Sequence, residues 1–194
     1  MKRLRLIVLP LLVTAMLLAG YTPAFSQDDE KESEVAISAE TKGLLHKVRA
    51  ATYPYRNVEA AEEAGYGAFL DCFRFADESA MGQHYVNGAL VGDDILDALQ
   101  PEALMYETHD DGTLALVGME YLVFADVWDP DNTGREPPTL FGQEFSLQTK
   151  IPGTPPVWAL HLWLWSANPD GPFASFNPLI ICPDDAPSVD MAAQ

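Results

Sequence analysis

The chain has 194 residues, 29 of them Asp or Glu and 11 Lys or Arg, for a formal charge of −18 at pH 7. Nucleic acids and anionic bilayers are bound through clustered Lys and Arg, so this balance excludes both as partners. The length suits a single domain with a core of its own.

The N-terminus reads as an export signal. Lys2, Arg3 and Arg5 precede an apolar run from Leu6 to Ala19, and Ala24-Phe25-Ser26 fits a small-x-small cleavage site before Gln27. The run is short and interrupted by Pro10, which does not suit a membrane span. Tyr21 occupies the place where a lipid anchor needs a cysteine. Residues 1–26 are expected to be removed, leaving an exported chain, periplasmic or extracellular, with no membrane attachment. Loss of the three cations and no acid carries the formal charge to −21. In an oxidising compartment an isolated pair such as Cys72 and Cys182 is expected to form a disulfide; two buried free thiols are the alternative.

Residues 27–37, opening with QDDEKESEV, have little apolar content and read as a flexible acidic leader to a single domain over 38–194. Ser38 then suits the cap of a helix carrying Leu44, Leu45, Val48 and Ala51 on one face and ending at Pro54. Asn57 suits the cap of a second, short helix, with Glu59 in its first turn and Gly65 beyond its end. From Tyr66 the pattern changes to short apolar runs between turn residues. Strands are predicted over Ala103 to Glu107, Leu114 to Phe124, Leu140 to Leu147 and Val157 to Ser166, with Tyr85 to Val91 a weaker candidate. His109-Asp110-Asp111-Gly112 is a hairpin signal, and Asp126 to Pro138 and Asn168 to Pro172 read as loops. Helices precede strands without βαβ alternation. The expected class is α+β, with a mainly antiparallel sheet or a small barrel-like curved sheet.

Two predicted strands are apolar on both faces, and each carries one ionisable residue. In LALVGMEYLVF, Glu120 shares its face with Leu116, Gly118, Leu122 and Phe124. In VWALHLWLW, His161 shares its face with Ala159, Trp163 and Trp165. An unpartnered carboxylate in such a place costs several kcal/mol, so Glu120 must be paired, protonated or bound to a cation. His161 accommodates all three cases, and the two are expected to face one cavity. His84, in the uncharged stretch MGQHYVNG, is the third candidate. Two histidines and a glutamate from separate strands match a facial triad for iron or a three-ligand zinc site, so one divalent transition metal is the implied cofactor. Tyr85 and Trp163, beside the two histidines, complete the set expected to line a ligand pocket. The rival readings are an enzyme using the same trio, through metal-activated water or Glu120 as general base, and a structural Glu-His pair that only fixes strand register.

No HExxH, CxxC, HxH or GxSxG occurs. The run from Asp129 to Gly134 begins like a calcium loop, but Leu140 stands where the frame needs Glu, so a solvated turn is expected. His46 and His109 read as surface residues.

The blocks MGQHYVNGALV, PEALMYE, LVGMEYLVF, PPTLFGQEF and WALHLWLWSANPDGPFASFNPLIICP, preceded by ATYPYRNVEAAEEAGYG, resemble a group of small exported bacterial proteins whose activity is unassigned. The resemblance runs from about Ala51 to Pro183. It implies a shared MGxHY, VGxEY and ALHxWLW pattern, which falls on His84, Glu120 and His161. It also implies a histidine shortly after the FGQ block, where this chain has Ser146.

Overall fold

Ser38 opens the described part of the chain by accepting the Thr41 backbone N–H, which caps helix α1 (Ala39–Thr52). The computed structural model describes residues 37–75, 79–149, 151 and 154–189; the expected signal and nearly all of the acidic leader lie outside them. Pro54 tightens the end of α1 into a 3-10 turn, Tyr53–Arg56, and Asn57 caps the short α2 (Val58–Glu63), as the turn residues require. Gly65 follows with φ +95°, a conformation that suits glycine.

The strands come next: β1 (Gly67–Leu70), β2 (Arg74–Phe75), β3 (Gln83–Val86), then one helical turn, α3 (Gly88–Val91), then β4 (Ala103–Thr108) and β5 (Leu114–Phe124). A further helical turn, α4 (Ala125–Trp128), leads to β6 (Thr139–Leu140), β7 (Gln143–Glu144), β8 (Ser146–Gln148), β9 (Val157–Leu162) and β10 (Ser188–Val189). The main sheet has six strands in the order β1-β3-β4-β5-β9-β8, every pairing antiparallel. The class is α+β as expected. The sheet is open, with β1 and β8 as its two edges, so the barrel alternative does not hold.

Helices α1 and α2 cover one face. Val48 and Ala61 pack there against Leu104, Tyr106, Met119, Tyr121, Leu160 and Leu162. The buried tyrosines remain satisfied because each phenol donates to a backbone carbonyl: Tyr66 to Pro101 at 2.6 Å, Tyr106 to Tyr55 at 2.6 Å and Tyr121 to Ala98 at 2.8 Å. The opposite face is covered by the helical turn α3, whose Val91 packs on Ala103, Leu122 and Ala159, and by coil. Ile180 and Cys182, with Cys72 and Ala80, pack on Met105, Val117 and Trp163. Cys72 and Cys182 form the expected disulfide, with Cα atoms 5.5 Å apart.

Several strand expectations shift. The segment Leu140 to Leu147 is not one strand: Phe141 and Gly142, both at positive φ, turn it into the β6–β7 hairpin before β8 starts. Only Gln83–Val86 of the His84 region is extended, since Asn87 caps α3. Strand β9 stops at Leu162 because Trp163 donates its N–H to Pro172 and the N–H groups of Trp165 and Ser166 both turn to the Val117 carbonyl. That carbonyl belongs to a bulge. Met105 pairs with Gly118 and Tyr106 with Leu116, leaving Val117 as the extra residue. The bulge reverses two face assignments: Leu116 joins the helix-covered core and Val117 the coil-covered one, opposite to simple alternation. Trp165 likewise ends on the helix side, donating to Thr52 at 3.1 Å.

Candidate metal centre

Register places the three candidate residues on the coil-covered face. His161 pairs directly with Glu120 across β9 and β5, and Glu120 pairs with Ala103 of β4. Partners in an antiparallel pair point to the same side, so Ala103 lies between Glu120 and the next strand, β3, with only a methyl group. His84 of β3 pairs with Met105, one row along. The small residue lets the carboxylate reach over β4 to the imidazole.

The result is a compact group. Glu120 Oε1 is 3.2 Å from His161 Nε2, and Glu120 Oε2 is 3.5 Å from His84 Nε2. All three side chains are buried, at 3% exposure for His84 and 6% for Glu120 and His161. One ligand atom from each lies within 4.8 Å of the others. Donor atoms held about 2.0–2.2 Å from a transition metal stand roughly 3.0–3.6 Å from one another in octahedral or tetrahedral geometry. The two separations, each to a different carboxylate oxygen, fall in that range, the trio as a whole spans up to 4.8 Å, and the group can hold a metal ion.

Hydrogen bonding does not account for the arrangement. His161 Nε2, though close to the carboxylate, forms no hydrogen bond of regular geometry, and neither does His84 Nδ1. Buried polar atoms left this way cost about 1–3 kcal/mol each, so the group is costly as a purely structural device. Burial pushes the Glu120 carboxyl up to about 8. Burial pulls His84 down to about 4, opposed by the Gly82 carbonyl, and pulls His161 down to about 3, reinforced by His84. Near neutrality burial therefore favours the uncharged group, a protonated carboxyl beside two neutral imidazoles.

The surroundings are apolar. Leu122 and Ala159 border the group on one side. Met105 and Trp163 border it on the other, closing over Gly118, where a Cβ would stand 2.6 Å from the Met105 methyl and 3.3 Å from the Trp163 ring. Trp163 stands beside His161. Its ring lies parallel to His161, with centroids 6.4 Å apart, and is fixed by donation to the Ala174 carbonyl at 2.6 Å. Tyr85 does not join them: adjacent to His84 in a strand, its side chain passes to the other face, where its ring meets Tyr106. Ser146 pairs with Ala159 at the sheet edge, on the same face as His161 but exposed and one row away.

His46 and His109 are exposed, as expected. The Asp129 loop is a turn. Its carboxylate accepts N–H groups from Thr133, Gly134 and Arg135 at 2.8–3.1 Å, which hold it down to about 2 and occupy the oxygens a calcium ion would need. Sequence reasoning missed Glu102, 1% exposed, whose carboxylate accepts the Leu122 N–H at 3.0 Å and is pushed up to about 8 by burial. Its position just after Pro101, at the mouth of a strand, resembles that of an exposed acid. Among the described residues no helix is long and apolar enough to cross a membrane. Comparison of the chain with protein-family models, curated proteins and solved structures found no match.

Proposed function

We propose that this chain is an exported metal-binding protein in which His84, Glu120 and His161 hold one divalent transition metal. The observation that carries this reading is the approach of two imidazole nitrogens to the two oxygens of one carboxylate, at 3.2 and 3.5 Å, without a regular hydrogen bond from His161 Nε2. A small polar ligand fits less well, because these separations leave room for an ion and none for a molecule. An enzyme working on an organic substrate fits less well too, since all three groups are buried beneath Met105, Trp163 and the coil that covers them. The disulfide and the N-terminal basic and apolar run support export, with a mature chain starting at Gln27.

Elemental analysis of untagged protein purified from its native compartment tests the reading. One equivalent of a single transition metal is expected, and its disappearance in His161→Ala. A metal-free protein that takes up no zinc, iron, manganese or copper on titration would leave the trio as a structural pair with a neighbour.

A further inference from the structure

A second site lies on the other side of the sheet. The bulge at Val117 turns Leu116 toward the helices, and the end of β9 sends Trp165 the same way. Together with Leu114 and Ala115 they form the floor of a cleft of about 510 Å³ whose rim is Arg49, Tyr53 and Arg56.

The rim is pre-set. Trp165 is pinned by its bond to Thr52, whose hydroxyl is itself buried against the Val48 carbonyl. Arg49 donates to the Leu164 carbonyl, and its guanidinium sits 4.1 Å over the Trp165 ring. Arg56 lies 5.6 Å over both Trp165 and Tyr53. Among the described residues no carboxylate is ion-paired with either guanidinium, in a chain with 29 acidic residues. The Arg49 and Arg56 forks thus keep N–H donors for an incoming group.

We propose that this cleft binds a small organic anion, a carboxylate joined to an apolar body. The carboxylate meets the Arg49 and Arg56 forks, which match its geometry with paired donors. The apolar body lies along Leu114, Leu116 and the Trp165 ring. The volume is in the ordinary range for small-ligand sites. The overall negative charge repels anions at a distance, so adsorption at unrelated places is weak and binding here reports the local pair.

Octanoate is the probe, with octanol and acetate as controls that each lack one half of the ligand. Calorimetry on the full exported chain should show saturable binding of one octanoate, with octanol and acetate at least tenfold weaker. Arg56→Gln, whose parent side chain forms no hydrogen bond among the described residues, should weaken octanoate at least tenfold while the protein still melts cooperatively; Arg49→Gln should do the same. Octanol binding as well as octanoate, undiminished binding by Arg56→Gln, or no saturable octanoate binding at millimolar concentration would each overturn the proposal. None of these readouts depends on metal at the other face.

Discussion

His161 stands directly opposite Glu120 in the β5–β9 ladder, and its Nε2 comes within 3.2 Å of the carboxylate without a regular hydrogen bond. Two groups this close and this dry have a strong reason to bond. They converge on a third buried group, His84, whose Nε2 is 3.5 Å from the same carboxylate.

Loss of any one of the three should remove more metal affinity than changes around a site do. His84→Ala, His161→Ala and Glu120→Gln are each expected to weaken binding by more than about 100-fold, beyond the 10–100-fold of outer-shell changes. Competition against a chromophoric chelator measures this. Unchanged affinity in any of them removes that residue from the ligand set.

The metal-free protein should be most stable between about pH 4.5 and 6.5. Glu120 and Glu102 have folded pKa values of about 8 against 4.5, so between those values the unfolded chain holds fewer protons and stability falls as pH rises. Each contributes a slope of up to about 1.4 kcal/mol per pH unit. His84 and His161, lowered to about 4 and 3 from 6.5, act oppositely, and stability is lost as pH falls below 6.5. The two effects offset one another from 4.5 to 6.5, leaving a decline on each side. Thermal melts across pH 3 to 9 should show this, with a shallower alkaline decline in Glu102→Gln. Bound metal should roughly halve the decline above pH 6.5, because it displaces the Glu120 proton and leaves Glu102 alone to drive the fall.

Ala103→Leu should separate the two histidines. A larger side chain between Glu120 and His84 blocks the reach over β4, and an affinity loss of about 10–100-fold is expected. Overpacking costs roughly 1–3 kcal/mol of stability in addition. Metal titration and denaturant melts on the same variant distinguish the effects; parental affinity would mean that Glu120 does not need the open path.

Reduction of the disulfide should loosen the face that holds the trio before the helical one. A cross-link over 110 residues contributes about 4–5 kcal/mol in the chain-entropy model. The double variant Cys72→Ser with Cys182→Ser should melt at lower denaturant and surrender metal to a chelator faster. Hydrogen exchange should rise first around Ala80 and Ile180, and equal loss of protection on α1 would contradict this.

Much of the site could be read from the chain because period-two alternation holds where strands are regular. From Gly118 to Phe124 and from Val157 to Leu162, parity alone put Glu120 and His161 on one face. It failed where one residue broke the count. Val117 bulges, so Leu116 and Trp165 went to the face opposite the one alternation assigned, and the arginine-rimmed cleft they form was invisible. His84 was assigned from its uncharged neighbourhood, while Tyr85 was misplaced by treating sequence neighbours as spatial ones. Glu102 escaped because nothing at the start of a strand reveals whether a later segment, here Leu122, will supply a donor.

The coil that covers the trio also has a place in time. A chain made from its N-terminus supplies α1, α2 and the four paired strands β1, β3, β4 and β5 before His161 appears, and the segment bearing Ile180 and Cys182 comes later. In that interval His84, Glu120 and His161 lack the cover that Ile180 and Cys182 provide. If the trio is the metal site proposed here, an ion would enter then without forcing a passage, and closure by Cys182 would seal it in. Which metal the protein carries would then record what surrounded it while it folded rather than what it meets afterwards.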